Sequence, residues 1–66
     1  MENHEKLRTL LHHWMEHNDE HAETYREWAE KASATGKEDV AAVLIKLCDE
    51  TKKLTPLMKE AMNKLG

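Results

Sequence analysis

The sequence predicts an all-α protein, an antiparallel hairpin of two long amphipathic helices. Three observations carry this. The 66 residues include one proline, two glycines and no phenylalanine, set among many Glu, Lys, Ala, Leu and Met, the strong helix formers. Apolar residues recur every three and four positions along two long stretches, the helical period. One short run, Ser33-Ala34-Thr35-Gly36-Lys37, interrupts both patterns.

The first helix is expected from about Asn3 to about Ala34, more than about 40 Å of rod at ~1.5 Å per residue. Its stripe reads Leu7, Leu11, Trp14, Asn18, His21, Tyr25, Trp28 and Ala32, with Leu10, Ala22 and Ala29 widening it. Glu16, Glu20, Glu23, Glu27 and Glu30 occupy the opposite face, as an amphipathic helix requires. Asn3 is the candidate N-cap. Gly36 can take the left-handed conformation that ends a helix, and Glu38 and Asp39 then sit near the positive end of the next one.

The second stripe is Val40, Val43, Leu44, Leu47, Thr51, Leu54, Met58, Ala61 and Leu65, with Met62 beside it. Pro56 lies opposite this stripe, and the stripe keeps its phase through it. The expectation is therefore a second helix kinked at Pro56, the alternative being a third short helix with Thr55 as cap and Pro56 as first residue.

A turn this short makes the helices antiparallel neighbours within a single domain spanning residues 1–66. Two helices do not enclose a core. A chain of this length also leaves much of its surface in water, so a staple is needed: a disulfide, a metal or a partner. Cys48 is the sole cysteine, which excludes an intrachain disulfide and suits a reducing cytoplasm. Pairing of two hairpins into a four-helix bundle homodimer is the expected solution.

Other classes are excluded by what the sequence lacks. No basic segment followed by an apolar run marks a signal peptide, and no stretch approaches a membrane span. The net charge of −3 is dispersed, whereas nucleic-acid binding calls for a concentrated basic face. Residues 1–35 carry eight Asp/Glu against four Lys/Arg, and residues 36–66 five against six, a mild asymmetry that favours pairing of the helices.

The unusual feature is histidine. All five fall in the first twenty-one residues: His4, His12, His13, His17 and His21. His13, His17 and His21 stand one helical turn apart, and two imidazoles at that spacing can share an ion. Glu16 and Glu20 could add oxygen ligands or accept from ring N–H groups. The string H-x-x-E-H occurs twice, at 13–17 and 17–21, but the protease using that signature needs a third ligand and a cleft, for which this chain has no room. With no nucleophile elbow, no phosphate-cradling loop and no E-x-x-H pair of a di-iron bundle, no enzyme is expected.

An antiparallel register about Gly36 puts His21 opposite Glu50 and Thr51, with Asn18 near Leu54 and Cys48 about a turn away. The candidate metal ligands are thus His13, His17, His21, Glu50 and Cys48, for an imidazole-favouring ion: Ni, Co, Zn or Cu. In a symmetric dimer, His21 of both copies would meet near the axis. The competing view is structural. Asn18 and His21 interrupt the stripe between Trp14 and Tyr25, and such polar layers set register and partner choice in helical bundles; Cys48 is then a small packed hydrophobe, and Trp14, Tyr25 and Trp28 are core anchors.

The string Leu7-x-x-Leu10-Leu11-x-His13-Trp14-x-x-His17-Asn18-x-x-His21-Ala22, continued by Trp28-Ala29, resembles a short His-rich helical module of small uncharacterised prokaryotic proteins, sometimes attached to metal-transport or cofactor-maturation proteins. The resemblance covers the first helix and not the second. It implies metal handling, with His13, His17 and His21 as the matching positions. The expected function is a metal-binding or metal-handling accessory protein. The alternative is a metal-free helical module for dimerisation or for docking a protein partner, with Asn18 and His21 as its polar layer.

Overall fold

The computed structural model describes residues 2–66, with the side chain of residue 2 left aside. Three helices follow in order, α1 (Glu2–Ala34), α2 (Glu38–Lys52) and α3 (Leu54–Leu65). α1 is one arm of a hairpin, and α2 with α3 is the other. Cross-arm contacts fix the direction. The Arg8 guanidinium donates to the Gly66 carbonyl, Asn18 reaches Thr51 and Thr55, and Ser33 donates to Glu38, so partners descend as α1 ascends. The arms are antiparallel and form a rod of 53 × 14 × 10 Å. Among the described residues, no helix is long and apolar enough to cross a membrane.

The turn has a specific chemistry. Lys37 N–H donates to Ala32 O at 2.9 Å and Gly36 N–H to Ser33 O at 3.0 Å, the paired bonds that satisfy the last carbonyls of a helix. They require a left-handed residue, and Gly36 supplies it with φ of 83°. Ser33 Oγ donates to Glu38 Oε1 at 2.7 Å across the turn. α1 begins at Glu2, so Asn3 lies inside the first turn rather than capping it.

The second arm is interrupted, though not at Pro56 itself. α2 ends at Lys52 and α3 begins at Leu54, so Pro56 falls within the first turn of α3. The reason is steric and electronic together: proline has no N–H for the carbonyl four residues back, and its ring crowds that carbonyl. That carbonyl belongs to Lys52, so the ladder stops there. Lys53 keeps right-handed helical angles (φ −70°, ψ −16°), which is why α3 continues almost in phase with α2.

The seam between the arms is narrower than the stripes suggest. On α1 it comprises Leu11, Met15, Asn18, Ala22, Tyr25, Ala29 and Ala32, buried or half-buried. Facing it are Ala41, Leu44, Cys48, Thr51, Thr55, Met58, Met62 and Leu65. Both runs alternate steps of three and four, the spacing of helices at a shallow crossing angle. The expected stripe is therefore rotated. Leu11, Asn18, Tyr25 and Ala32 hold their inward places, but Leu7, Trp14, His21 and Trp28 move to the flank. Small residues explain the choice: Ala22, Ala29, Ala41 and Cys48 are 1–7% exposed and let the arms close, where a tryptophan would hold them apart.

Candidate functional site

One flank of the hairpin collects almost every large apolar side chain that the seam leaves out. Leu7, Trp14, His21 and Trp28 recur every seven residues along α1, with Leu10 and His17 one turn beside them. On the other arm Val40, Leu47, Leu54 and Ala61 recur every seven, with Val43, Glu50 and Leu57 beside them. Each row immediately precedes an equivalent seam position. Because the arms are antiparallel, the two rows come to the same side of the rod and form one face. Leu7, Leu10, Trp14 and Trp28 are exposed, and so are Val40, Val43, Leu47, Leu54 and Leu57. Val43 is 65% and Leu57 62% exposed, values usual for lysine rather than for an aliphatic residue. Lys31 Nζ lies 4.3 Å over the Trp28 ring, which shields one end of the face.

The opposite flank is polar and already engaged. It carries His12, Asp19, Arg26 and Ser33 from α1, and Glu38, Lys52 and Lys59 from the other arm, with Ile45 the one exposed aliphatic residue among them. Ser33 bonds Glu38 and Thr55 Oγ1 donates to Asp19 Oδ1 at 2.8 Å on this side. The two flanks thus differ in kind.

Asn18 and His21, grouped by the sequence as one polar layer, are separated. Asn18 is 9% exposed in the seam. Its Nδ2 donates to Thr51 O at 2.7 Å and to Thr55 Oγ1 at 2.9 Å. Thr51 lies in the last turn of α2, where its carbonyl also receives a backbone N–H, so Asn18 adds a second donor at the end of α2 from across the hairpin. His21 is exposed on the apolar face. Its ring stacks on Tyr25, with centroids 6.2 Å apart and 18° between planes.

The other candidate ligands are dispersed. His13, His17 and His21 are exposed and form a column, with ring centroids 4.3 Å apart for His13–His17 and 6.1 Å for His17–His21. His13 stands at the edge of the apolar face, while His17 and His21 belong to it. Glu16 turns toward His12, Nδ1 to Oε1 3.0 Å. Glu50 is exposed on the apolar face, 3.0 Å from Lys53 Nζ. Cys48 is a free thiol, 2% exposed within the seam. Among the described residues, no three His, Cys, Asp or Glu side chains gather to hold a metal ion. What the sequence reading missed was the open face itself, although the seven-residue rows that build it were visible.

Comparison with known proteins places this architecture in a family. Residues 7–65 match the family described as Domain of unknown function (DUF8180). The chain belongs to the DUF8180 family. The match runs through both arms, well beyond the first-helix module that the sequence resembles. A relative described as an uncharacterized protein of Archaeoglobus fulgidus is 36% identical over 62 residues, covering 94% of this chain and 98% of its own. The family therefore includes a small archaeal protein that aligns over nearly its whole length. No solved structure matches the chain.

Proposed function

We propose that this DUF8180 chain is a helical association module, in which two copies close their apolar faces on each other to form a four-helix bundle. The observation that carries the reading is the segregation of the exposed Leu, Val and Trp side chains onto one flank. A patch of this kind is a recognised mark of an interaction surface. Among the described residues, no large side chain is fully buried, so the hairpin alone has a thin core of Leu11, three alanines and Cys48. A face 53 Å long and 14 Å wide is on the order of the ~800 Å² that each partner brings to a stable interface.

The pattern of the face favours a second copy over an unrelated partner. On α1, Trp14 and Trp28 stand one heptad either side of His21; on the other arm, Val43 and Leu57 stand one heptad either side of Glu50. The cross-arm bonds of Asn18 to Thr51 and Thr55 put His21 and Glu50 at one level, near the middle of the rod. A two-fold axis crossing the rod at that level would lay apolar on apolar at both ends and polar on polar at the centre. Closed two-fold pairing is also the commonest symmetry of small oligomers.

Sedimentation of the full chain tests this. The expected species is a dimer, converted to a folded monomer by Val43→Glu with Leu57→Glu, and unaffected by Ile45→Glu on the other flank. A wild-type chain that stays monomeric and cooperatively folded at every concentration, with and without added Zn²⁺ or Ni²⁺, would overturn the reading, as would a dimer disrupted by Ile45→Glu alone. A second reading, metal handling, is supported by the His13–His17–His21 ring column. Because the described residues of one chain gather no three ligands, that reading depends on groups from outside the chain.

A further inference from the structure

We propose that pairing of two copies completes a divalent transition-metal site built from His17 and His21 of each copy, which neither chain holds alone. The inference rests on the association reading above and says what the centre of the interface is for. The open face is mostly apolar toward both ends, with Lys31 over Trp28 at one of them, and His17, His21 and Glu50 gather at mid-level. Glu50 is paired with Lys53, but enclosing the imidazoles of His17 and His21 between Leu and Trp side chains is unfavourable unless they are hydrogen-bonded or ligating.

The two-fold axis that matches the apolar ends carries His21 of one copy onto His21 of the other. His17 lies one turn along the same helix face, so four imidazoles approach the axis. Two histidines at i and i+4 form the helical chelate that binds zinc in metalloproteases. A pair from each of two helices offers the four nitrogen donors of a closed site, with Zn–N distances of ~2.0–2.1 Å. His17 and His21 are both exposed in the single chain, with ring centroids 6.1 Å apart, so each is free to turn toward a shared ion. Glu50, level with His21, supplies an acceptor for a ligating ring's second N–H, the usual support of a histidine ligand. An all-imidazole set selects Zn, Ni, Co or Cu over Mg or Ca.

This assignment narrows the candidate ligands. His13 continues the column at the edge of the face, its ring 4.3 Å from that of His17, and Cys48 lies inside the seam, 2% exposed; neither is among the four donors.

The test uses the full-length, metal-stripped chain with Zn²⁺ or Ni²⁺ alone, read by calorimetry and by sedimentation in the same buffer. The expected stoichiometry is one ion per two chains. His17→Ala or His21→Ala should weaken binding at least as much as the roughly 10–100-fold lost with a supporting group of a metal site, while His13→Ala changes it little. A chain that is dimeric only with metal supports both readings, provided that the stoichiometry is one ion per two chains. A dimer without metal that takes up no ion at that stoichiometry overturns the site and leaves the association reading standing. A chain that stays monomeric with and without metal overturns both. Binding of one ion per chain that is lost in His13→Ala also overturns the site, since it marks a chelate within one helix.

Discussion

At the residue scale, Asn18 shows how a polar group in a thin core is accounted for. Thr51 O, in the last turn of α2, already receives a backbone N–H at the end of the helix, and Asn18 adds a second donor to it at 2.7 Å. The same amide donates to Thr55 Oγ1, which in turn donates to Asp19 Oδ1. Replacing Asn18 with Ala removes two bonds between the arms, to Thr51 O and Thr55 Oγ1, at a cost of about 0.5–1.5 kcal/mol, read as a lower denaturation midpoint. Asn18→Asp should cost more, because it sets a carboxylate against a carbonyl with no donor between them. The sequence marked Asn18 as an anomaly in an apolar stripe but did not show its purpose, since its partners, Thr51 O and Thr55 Oγ1, lie on the other arm.

At the element scale, the boundaries were legible wherever a single residue enforced them. Gly36 ends α1 because its positive φ closes the paired bonds to Ala32 and Ser33. Nothing lies within 4 Å of where a Cβ would sit, so Gly36→Ala introduces backbone strain without a clash. The expected loss is about 1 kcal/mol, measured by thermal denaturation. Pro56 was legible as an interruption, yet its effect appears at Lys53, because proline acts on the carbonyl four residues before it. Pro56→Ala restores the missing donor and should join α2 and α3 into one helix, seen as added helical ellipticity.

For the whole molecule, periodicity alone did not distinguish the seam from the face. α1 has apolar residues over a broad arc of its circumference, and two adjacent rows both satisfy a helical stripe. The rows differ in size. Ala22, Ala29 and Ala41 permit close approach, whereas Trp14 and Trp28 do not, so the small row turns inward and the large row remains outside. The hairpin and its turn could thus be read from the sequence, while the orientation of each arm required weighing side-chain volume. The candidate ligands divide along the same line. His17, His21 and Glu50 share the open face, whereas Cys48, expected near them from the antiparallel register, lies inside the seam. His13, expected from the one-turn spacing, stands at the edge of the face. If the large row is covered by a second copy, folding and association are linked. The melting temperature should then rise with chain concentration, and Val43→Glu with Leu57→Glu should remove that dependence.

The interruption at Lys53 also divides the second arm into parts of unequal tenure. α2 buries Ala41, Cys48 and Thr51 against α1, whereas α3 has no buried residue. An element whose seam side chains, Thr55, Met58, Met62 and Leu65, are only half-buried opens first, and its amide hydrogens exchange through local openings rather than global unfolding. In the isolated hairpin, α3 and the open end of α1 should exchange quickly while α2 is protected. Covering Leu54 and Leu57 should slow α3 more than α2, so the exchange pattern along the second arm would reveal whether a given solution contains one chain or two.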